Sequence, residues 1–335
     1  GLKLFGASIQ HDGHVRSIAS NRDVGGDDKT NYGFTALWEP NDDFDLKIHH
    51  EIMEDKSEQG VYTNRNRVGE LACTLTQIGF DPANGCEINA NDGPDTTESD
   101  GSNFSNNDYK STIVTANFNT EAFLYTYIYS MRDMDEQNMQ DFDGSAVHLL
   151  SMNFFNDWEQ TSHEFRVTSQ FSDTVQFIAG FYDWEADFDQ RWDVYDLFYQ
   201  LSRLGVPPWG AGRQGVEGYS DVFPWEDDVA GNNGQSQLTT STAVFFSADW
   251  FVAENWTVTA GFRWTEEEKD FVGGASAPGY YPLRDEPWPG IFNPFFAKAK
   301  WTETTPKLGL RYQPSDDAMF YASYSEGFKS GGFFA

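Results

Sequence analysis

The chain has 335 residues, with 22 basic and 53 acidic side chains and a formal net charge of −31. Such an excess of carboxylates excludes nucleic acid as a natural partner, since phosphate binding needs clustered Lys and Arg. No stretch approaches the roughly 20 apolar residues of a transmembrane helix, which leaves alternating strands of about 10 residues as the only means of crossing a bilayer.

Hydrophobic residues make up only 39% of the chain but aromatics reach 16%, so the charge sits beside an ordered, aromatic-rich structure and not a disordered polyanion. The opening Gly1-Leu2-Lys3-Leu4 carries no signal peptide and is already strand-like, the expected start of a processed chain or of a piece of a longer one. Leu2 to Gln10 is the first strand expected. Tyr32 to Trp38 is the second, and it turns through Glu39-Pro40-Asn41-Asp42-Asp43 into Phe44-Asp45-Leu46-Lys47-Ile48-His49. Phe44, Leu46, Ile48 and Ile52 fall on one face, and Asp45, Lys47, His49 and Glu51 on the other: period two, joined by hairpin turn chemistry.

The same unit recurs along the chain. Thr112 to Phe118 turns at Asn119-Thr120-Glu121 into Phe123, Tyr125, Tyr127, Tyr129 and Met131, and Phe165-Arg166-Val167 turns at Ser172-Asp173-Thr174 into Val175, Phe177, Ala179 and Phe181. Thr242 to Trp250 turns near Ala253-Glu254-Asn255 into Trp256, Val258, Ala260, Phe262 and Trp264, which alternate with Thr257, Thr259, Gly261, Arg263 and Thr265. Leu308, Leu310 and Tyr312 lead through Gln313-Pro314-Ser315-Asp316-Asp317 into Phe320, Ala322 and Tyr324. One face is apolar and edged with aromatics; the other is Thr, Ser, Gly, Lys and Arg. An apolar exterior around a wet lumen accounts for both faces, whereas a soluble β-sandwich accounts for one.

Eleven strands are expected, with short turns at one end and long loops near 54–107, 134–158, 189–236 and 271–297 at the other. In an outer-membrane barrel the short turns are periplasmic and the long loops extracellular. An odd number of strands does not close a bacterial single-chain barrel, and an open edge is not tolerated in lipid, so a longer chain is expected. Cys73 and Cys86 lie in the first long loop, where a disulfide closing a small loop is the preferred reading and a pair of unlinked thiols the alternative. In the third, Val194, Leu197, Phe198, Leu201 and Leu204 are at the spacing of a short helix or of a hydrophobic clamp. The same loop brings together Trp192, Tyr195, Trp209, Arg213 and Trp225, residues suited to stacking on a flat or sugar-like ligand or to packing the loop itself.

No catalytic constellation is present: there is no G-x-S-x-G, P-loop or HExxH motif, and no cofactor or metal site is expected. His11 and His14 are three apart in a strand or loop, which does not aim them together, and the adjacent His49 and His50 point to opposite faces. The acidic loops at 91–101 and 25–28 offer hard oxygen ligands for Ca²⁺ but lack the spacing of an EF-hand, and solvated acidic loops are the preferred reading.

The run Thr305-Pro306-Lys307-Leu308-Gly309-Leu310-Arg311-Tyr312, followed by Phe320-Tyr321-Ala322-Ser323-Tyr324-Ser325-Glu326-Gly327-Phe328-Lys329-Ser330-Gly331-Gly332-Phe333, resembles a late barrel hairpin of TonB-dependent receptors. Thr259 to Asp270 is similar to the preceding strand; His163 to Ser169 with Ala179 to Tyr182, and Gly6-Ala7-Ser8 to Trp38-Glu39-Pro40, resemble earlier hairpins. The resemblance implies an all-β transmembrane antiparallel barrel of 22 strands, about half of it in residues 1–335, without the plug or the final strands. It implies active uptake of a scarce nutrient across the outer membrane of a Gram-negative bacterium, coupled through the plug to the TonB–ExbB–ExbD system. Ferric siderophores are the commonest ligands of that family, beside haem, cobalamin and glycans. A passive porin is the alternative, although eleven strands leave about 30 residues each where sixteen would leave about 21. A soluble β-rich binding module or adhesin is the third reading.

Overall fold

The structure, a computed structural model, describes residues 1–63, 95–99, 103–144, 151–195, 229–275 and 295–333. Its described residues form fourteen strands: β1 (Leu2–His11), β2 (Val15–Ser17), β3 (Arg22–Val24), β4 (Asp27–Asn41), β5 (Phe44–Asp55), β6 (Thr96–Thr97), β7 (Phe104–Asn119), β8 (Phe123–Asp141), β9 (Ser151–Ser169), β10 (Val175–Tyr195), β11 (Val229–Ala253), β12 (Trp256–Ala275), β13 (Phe295–Ser315) and β14 (Ala318–Ser325). Eleven of them make one antiparallel sheet in the order β1-β4-β5-β7-β8-β9-β10-β11-β12-β13-β14, each strand beside the next one of that sheet along the chain. These are the eleven strands that the alternation marks. The sheet is open, with β1 and β14 at its two edges.

The turns at one end are short because their residues close them locally. Asn41 Oδ1 accepts the Asp43 N–H at 3.0 Å, Thr120 Oγ1 accepts the Phe123 N–H at 2.9 Å, and Ser172 Oγ accepts those of Thr174 and Val175. They pin the register, and register decides which face each side chain meets. One row across the sheet reads Leu46, Ala116, Tyr127, Phe165, Phe181, Val244 and Trp264. Of these, Tyr127, Phe165, Phe181 and Val244 are large apolar side chains left exposed. The adjacent row on the opposite face reads Asp45, Asn117, Thr126, Arg166, Gly180, Phe245, Arg263 and Thr305.

An apolar face open to its surroundings is stable only against lipid, and a polar face behind it only against water. Toward the turn end the outer face carries an aromatic girdle, with Trp38 edge-on to Phe44 and Trp256 stacked on Tyr312 at 4.4 Å. On the lumenal face Phe245 lies across Gly180, where an added Cβ would come within 2.3 Å of the ring; only glycine leaves room for that coverage.

The loops are shorter than the sequence pattern implies. Strand pairing continues to Asp141, Tyr195 and Ala275 and resumes at Ser151, Val229 and Phe295, inside the spans expected as loops at 134–158, 189–236 and 271–297. Beyond the lipid both faces of a strand meet water, so the ladder persists without the apolar alternation that announces it. The outer face there carries Glu54, Asp108, Asp135, Asp157 and Asp189 side by side on five strands.

A second sheet goes beyond what the alternation announces. It pairs β3 with β2 antiparallel and β2 with β6 in parallel, the latter from some 80 residues further along the chain. Ser17 and Thr97 in it are almost wholly buried. Beside it, the chain reverses after β1 and stacks His14 on His11 with ring centroids 5.1 Å apart, so the two are brought together, contrary to the expectation that a strand or loop does not aim them at each other. His49 and His50 do point apart: His49 stacks on Phe5 and meets Thr35, whereas His50 meets Thr112 and Phe34.

Candidate functional site: a lumenal amide belt

Where the strands rise above the apolar band, register sets Asn107 (β7), Glu136 (β8), Asn156 (β9), Gln190 (β10) and Gln235 (β11) level on the lumenal face. The side chains of the last four bond in sequence. Gln235 Nε2 donates to Gln190 Oε1 at 2.7 Å, Gln190 Nε2 to Asn156 Oδ1 at 2.8 Å, and Asn156 Nδ2 to Glu136 Oε2 at 2.6 Å. From the other side Gln59 Nε2 donates to Asn138 Oδ1 at 2.7 Å, and Asn138 Nδ2 donates to Glu136 Oε1. Each of these donors points toward the Glu136 carboxylate, whose charge strengthens the two bonds that it accepts, whereas Asn107 Nδ2 donates to Ser105 Oγ at 2.8 Å.

Aromatic pairs flank the belt on both sides. Trp158 and Phe188 lie one row toward the membrane with centroids 5.6 Å apart, and Phe154 and Trp192 one row away from it, edge to face at 6.2 Å. Trp158 donates its indole N–H to Gln160 at 3.2 Å. Two polar atoms of this wall are buried without a hydrogen-bond partner among the described residues: Trp192 Nε1, a donor, and Asn107 Oδ1, an acceptor. A wall of flat rings, fixed amides and two unmet polar atoms suits a ligand with planar faces and both carbonyl and hydroxyl groups.

Of the residues singled out in the sequence, Trp192 is therefore on the lumenal wall, and Tyr195 ends β10. Trp209, Arg213, Trp225, Cys73 and Cys86 lie outside the described residues, as does the segment from Leu197 to Leu204. Sequence reasoning misses the belt itself. Its signal is the recurrence of Asn, Gln and Glu at alternate positions of Glu136-Asn138-Gln140 and Gln235-Gln237, legible only once the register of the neighbouring strands is known.

Nearer the membrane the lumen carries charge. Arg263 lies over the Tyr182 ring at 5.5 Å and the Phe245 ring at 5.8 Å, and Arg166 pairs with Glu164. At the loop end of β1, His11 Nε2 meets Asp27 Oδ2 at 2.6 Å and Lys29 meets Asp27 Oδ1 at 2.8 Å. The hydrogen bond with the Asp12 backbone, then Asp27, raise the His11 pKa above its ordinary 6.5, and Lys29 before His11 lowers that of Asp27. Neither of the two acidic loops presents three metal-ligating side chains together among the described residues.

Comparison with known proteins agrees with this architecture. The family model described as TonB dependent receptor-like, beta-barrel, matches residues 55–335. The ferric yersiniabactin uptake receptor FyuA from Yersinia pestis superposes with a TM-score of 0.64 at 13% identity, over 95% of this chain and 41% of that one. The siderophore receptor PiuA from Acinetobacter baumannii gives 0.61 at 12% identity, over 97% and 44%. The alcaligin outer-membrane receptor FauA from Bordetella pertussis gives 0.53 at 12%, over 97% and 37%. The chain thus spans less than half the length of these structures. No curated protein sequence matches it significantly. With a lipid-suited outer face, a polar lumen and a family match across most of its length, the chain belongs to the TonB-dependent receptor β-barrel family of transport receptors.

Proposed function

We propose that this barrel serves active uptake of a ferric siderophore across the outer membrane of a Gram-negative bacterium, energised through TonB–ExbB–ExbD. The observation that carries the reading is the lumenal wall of amides and aromatics on a barrel of this family. The siderophore receptors among its structural relatives support the ligand class. Trp192 and Asn107, each with one polar atom unmet, are the proposed ligand contacts in the wall, with Tyr195 at the end of β10 and Trp209, Arg213 and Trp225 further along the chain as proposed additional contacts. A disulfide between Cys73 and Cys86 is proposed to brace the first extracellular loop.

The test uses the intact protein in its own outer membrane. Radiolabelled iron delivered as siderophore complexes should accumulate, and accumulation should stop when TonB is removed or the proton gradient is collapsed. Trp192→Ala should weaken ligand binding by roughly tenfold or more, as loss of an aromatic anchor does. Uptake that persists without TonB and rises linearly with ligand concentration would instead establish a passive porin.

A further inference from the structure

Beyond Ser325 the chain leaves the sheet. The last ladder bond runs from Glu326 N–H to the Pro306 carbonyl at 3.0 Å. Residues 327–333 then cross the lumenal face of β13 to reach β12. There Lys269 Nζ donates to the Gly331 carbonyl at 2.9 Å, and the Ser330 hydroxyl donates to Glu267. Phe333 packs on Phe271 at 5.4 Å and on Trp301 at 6.3 Å. Gly331 lies so close to the Trp301 indole that an added Cβ would come within 2.7 Å of it. Beneath this strap Lys269 and Glu267 pair at 3.3 Å with their side chains 17% and 18% exposed, Lys269 sits 5.7 Å from the Trp301 ring centre, and Phe271 is buried.

We infer that residues 330–333 are an internal occupant of a second lumenal subsite, built by Glu267, Lys269, Phe271 and Trp301 and separate from the amide belt. The strap offers that subsite one aromatic ring, one carbonyl oxygen and one hydroxyl. A ligand able to replace it carries the same three groups close together, as a hydroxyaryl carboxamide does. The subsite is masked while the strap is seated, so its apparent affinity is reduced by the fraction of molecules in which the strap is away. The inference rests on the lumenal position of this face and not on the identity of any nutrient.

Salicylamide is the probe, with the intact protein in detergent or nanodiscs as the sample. Hydrogen–deuterium exchange reads the strap, and calorimetry the binding. Gly331→Val should prevent seating, speed exchange across 327–333 without probe, and raise affinity for salicylamide about tenfold or more. Phe333→Ala, which removes the ring without crowding Trp301, should move both readouts the same way and covers the case in which the Gly331→Val variant does not fold. Adding Trp301→Ala to either variant should abolish the gain. Variants that bind the probe no more tightly than the parent, or a gain that survives loss of Trp301, would overturn the proposal. Siderophore uptake by the intact protein enters neither readout, so failure here and failure of the uptake reading are distinguishable.

Discussion

The lower and upper halves of the same strands obey different rules. Around Tyr127 and Phe165 the two faces are chemical opposites, apolar outside and polar within; around Asp135 and Asn156 both faces are polar. Backbone pairing is identical in the two halves, so what changes is the solvent outside. Lipid imposes the alternation in the lower half. In the upper half water lets each face be used separately, carboxylates without and an amide belt within.

The largest test of that contrast sets neighbouring positions against each other. Tyr125→Arg places a charge in the middle of the lipid face, in the row of Phe118, Val167, Ala179, Phe246 and Phe262, and should cost about 2–4 kcal/mol in a reversible unfolding titration in lipid, whereas Thr126→Arg, turned to the lumen, should cost less than about 1. Equal costs would mean that the faces are wrongly assigned. Gly180→Val forces Phe245 off the strand and should cost about 1–3 kcal/mol by overpacking, with its partner substitution Phe245→Ala restoring part of the loss.

In the upper half, Glu136→Ala leaves the Asn156 and Asn138 amides without their acceptor, a loss of about 1–3 kcal/mol that Glu136→Gln should halve, since a neutral amide still accepts from one neighbour. Outside, burial and then the carboxylates of Asp157, Asp108 and Asp133 raise the Asp135 pKa. The folded chain therefore holds that proton more tightly than the unfolded one, and stability falls as pH rises through the carboxylate range. Asp135→Asn should remove this fall and add at most about 1 kcal/mol at neutral pH. The smallest effect is at His11, whose raised pKa makes its bridge to Asp27 a contribution present below pH 6.5 and lost as pH rises through the folded value. Asp27→Asn should return the His11 resonance in an NMR titration toward its ordinary midpoint.

The same boundary explains how far the sequence could be read. The runs from Trp256 to Trp264 and from Phe123 to Met131 lie against lipid, where every second residue must be apolar, and their strands are plain in the sequence. From Asp133 onward, and from Glu159 back toward Ser151, polar and apolar residues mix on both faces, as in Phe154-Phe155-Asn156-Asp157-Trp158, and the strands continue without a periodic signal. The belt is harder still, because it is a property of five strands in register, and no single segment encodes it. Strands as short as Val15–Ser17 and Thr96–Thr97 carry no period at all, and their pairing depends on contacts distant in sequence.

That last pairing bears on assembly. The parallel contact of β2 with β6 is tied by Arg16 N–H to the Asp95 carbonyl and Ile18 N–H to the Thr97 carbonyl, each at 2.8 Å, and by Thr97 Oγ1 to the Tyr62 carbonyl at 2.6 Å. Closing it joins segments some 80 residues apart in the chain, and such long-range closure is slow. The cap over the first hairpin is thus a knot tied after insertion. A chain stalled with its first loop still untranslocated would show the main sheet protected and Arg16 open to trypsin.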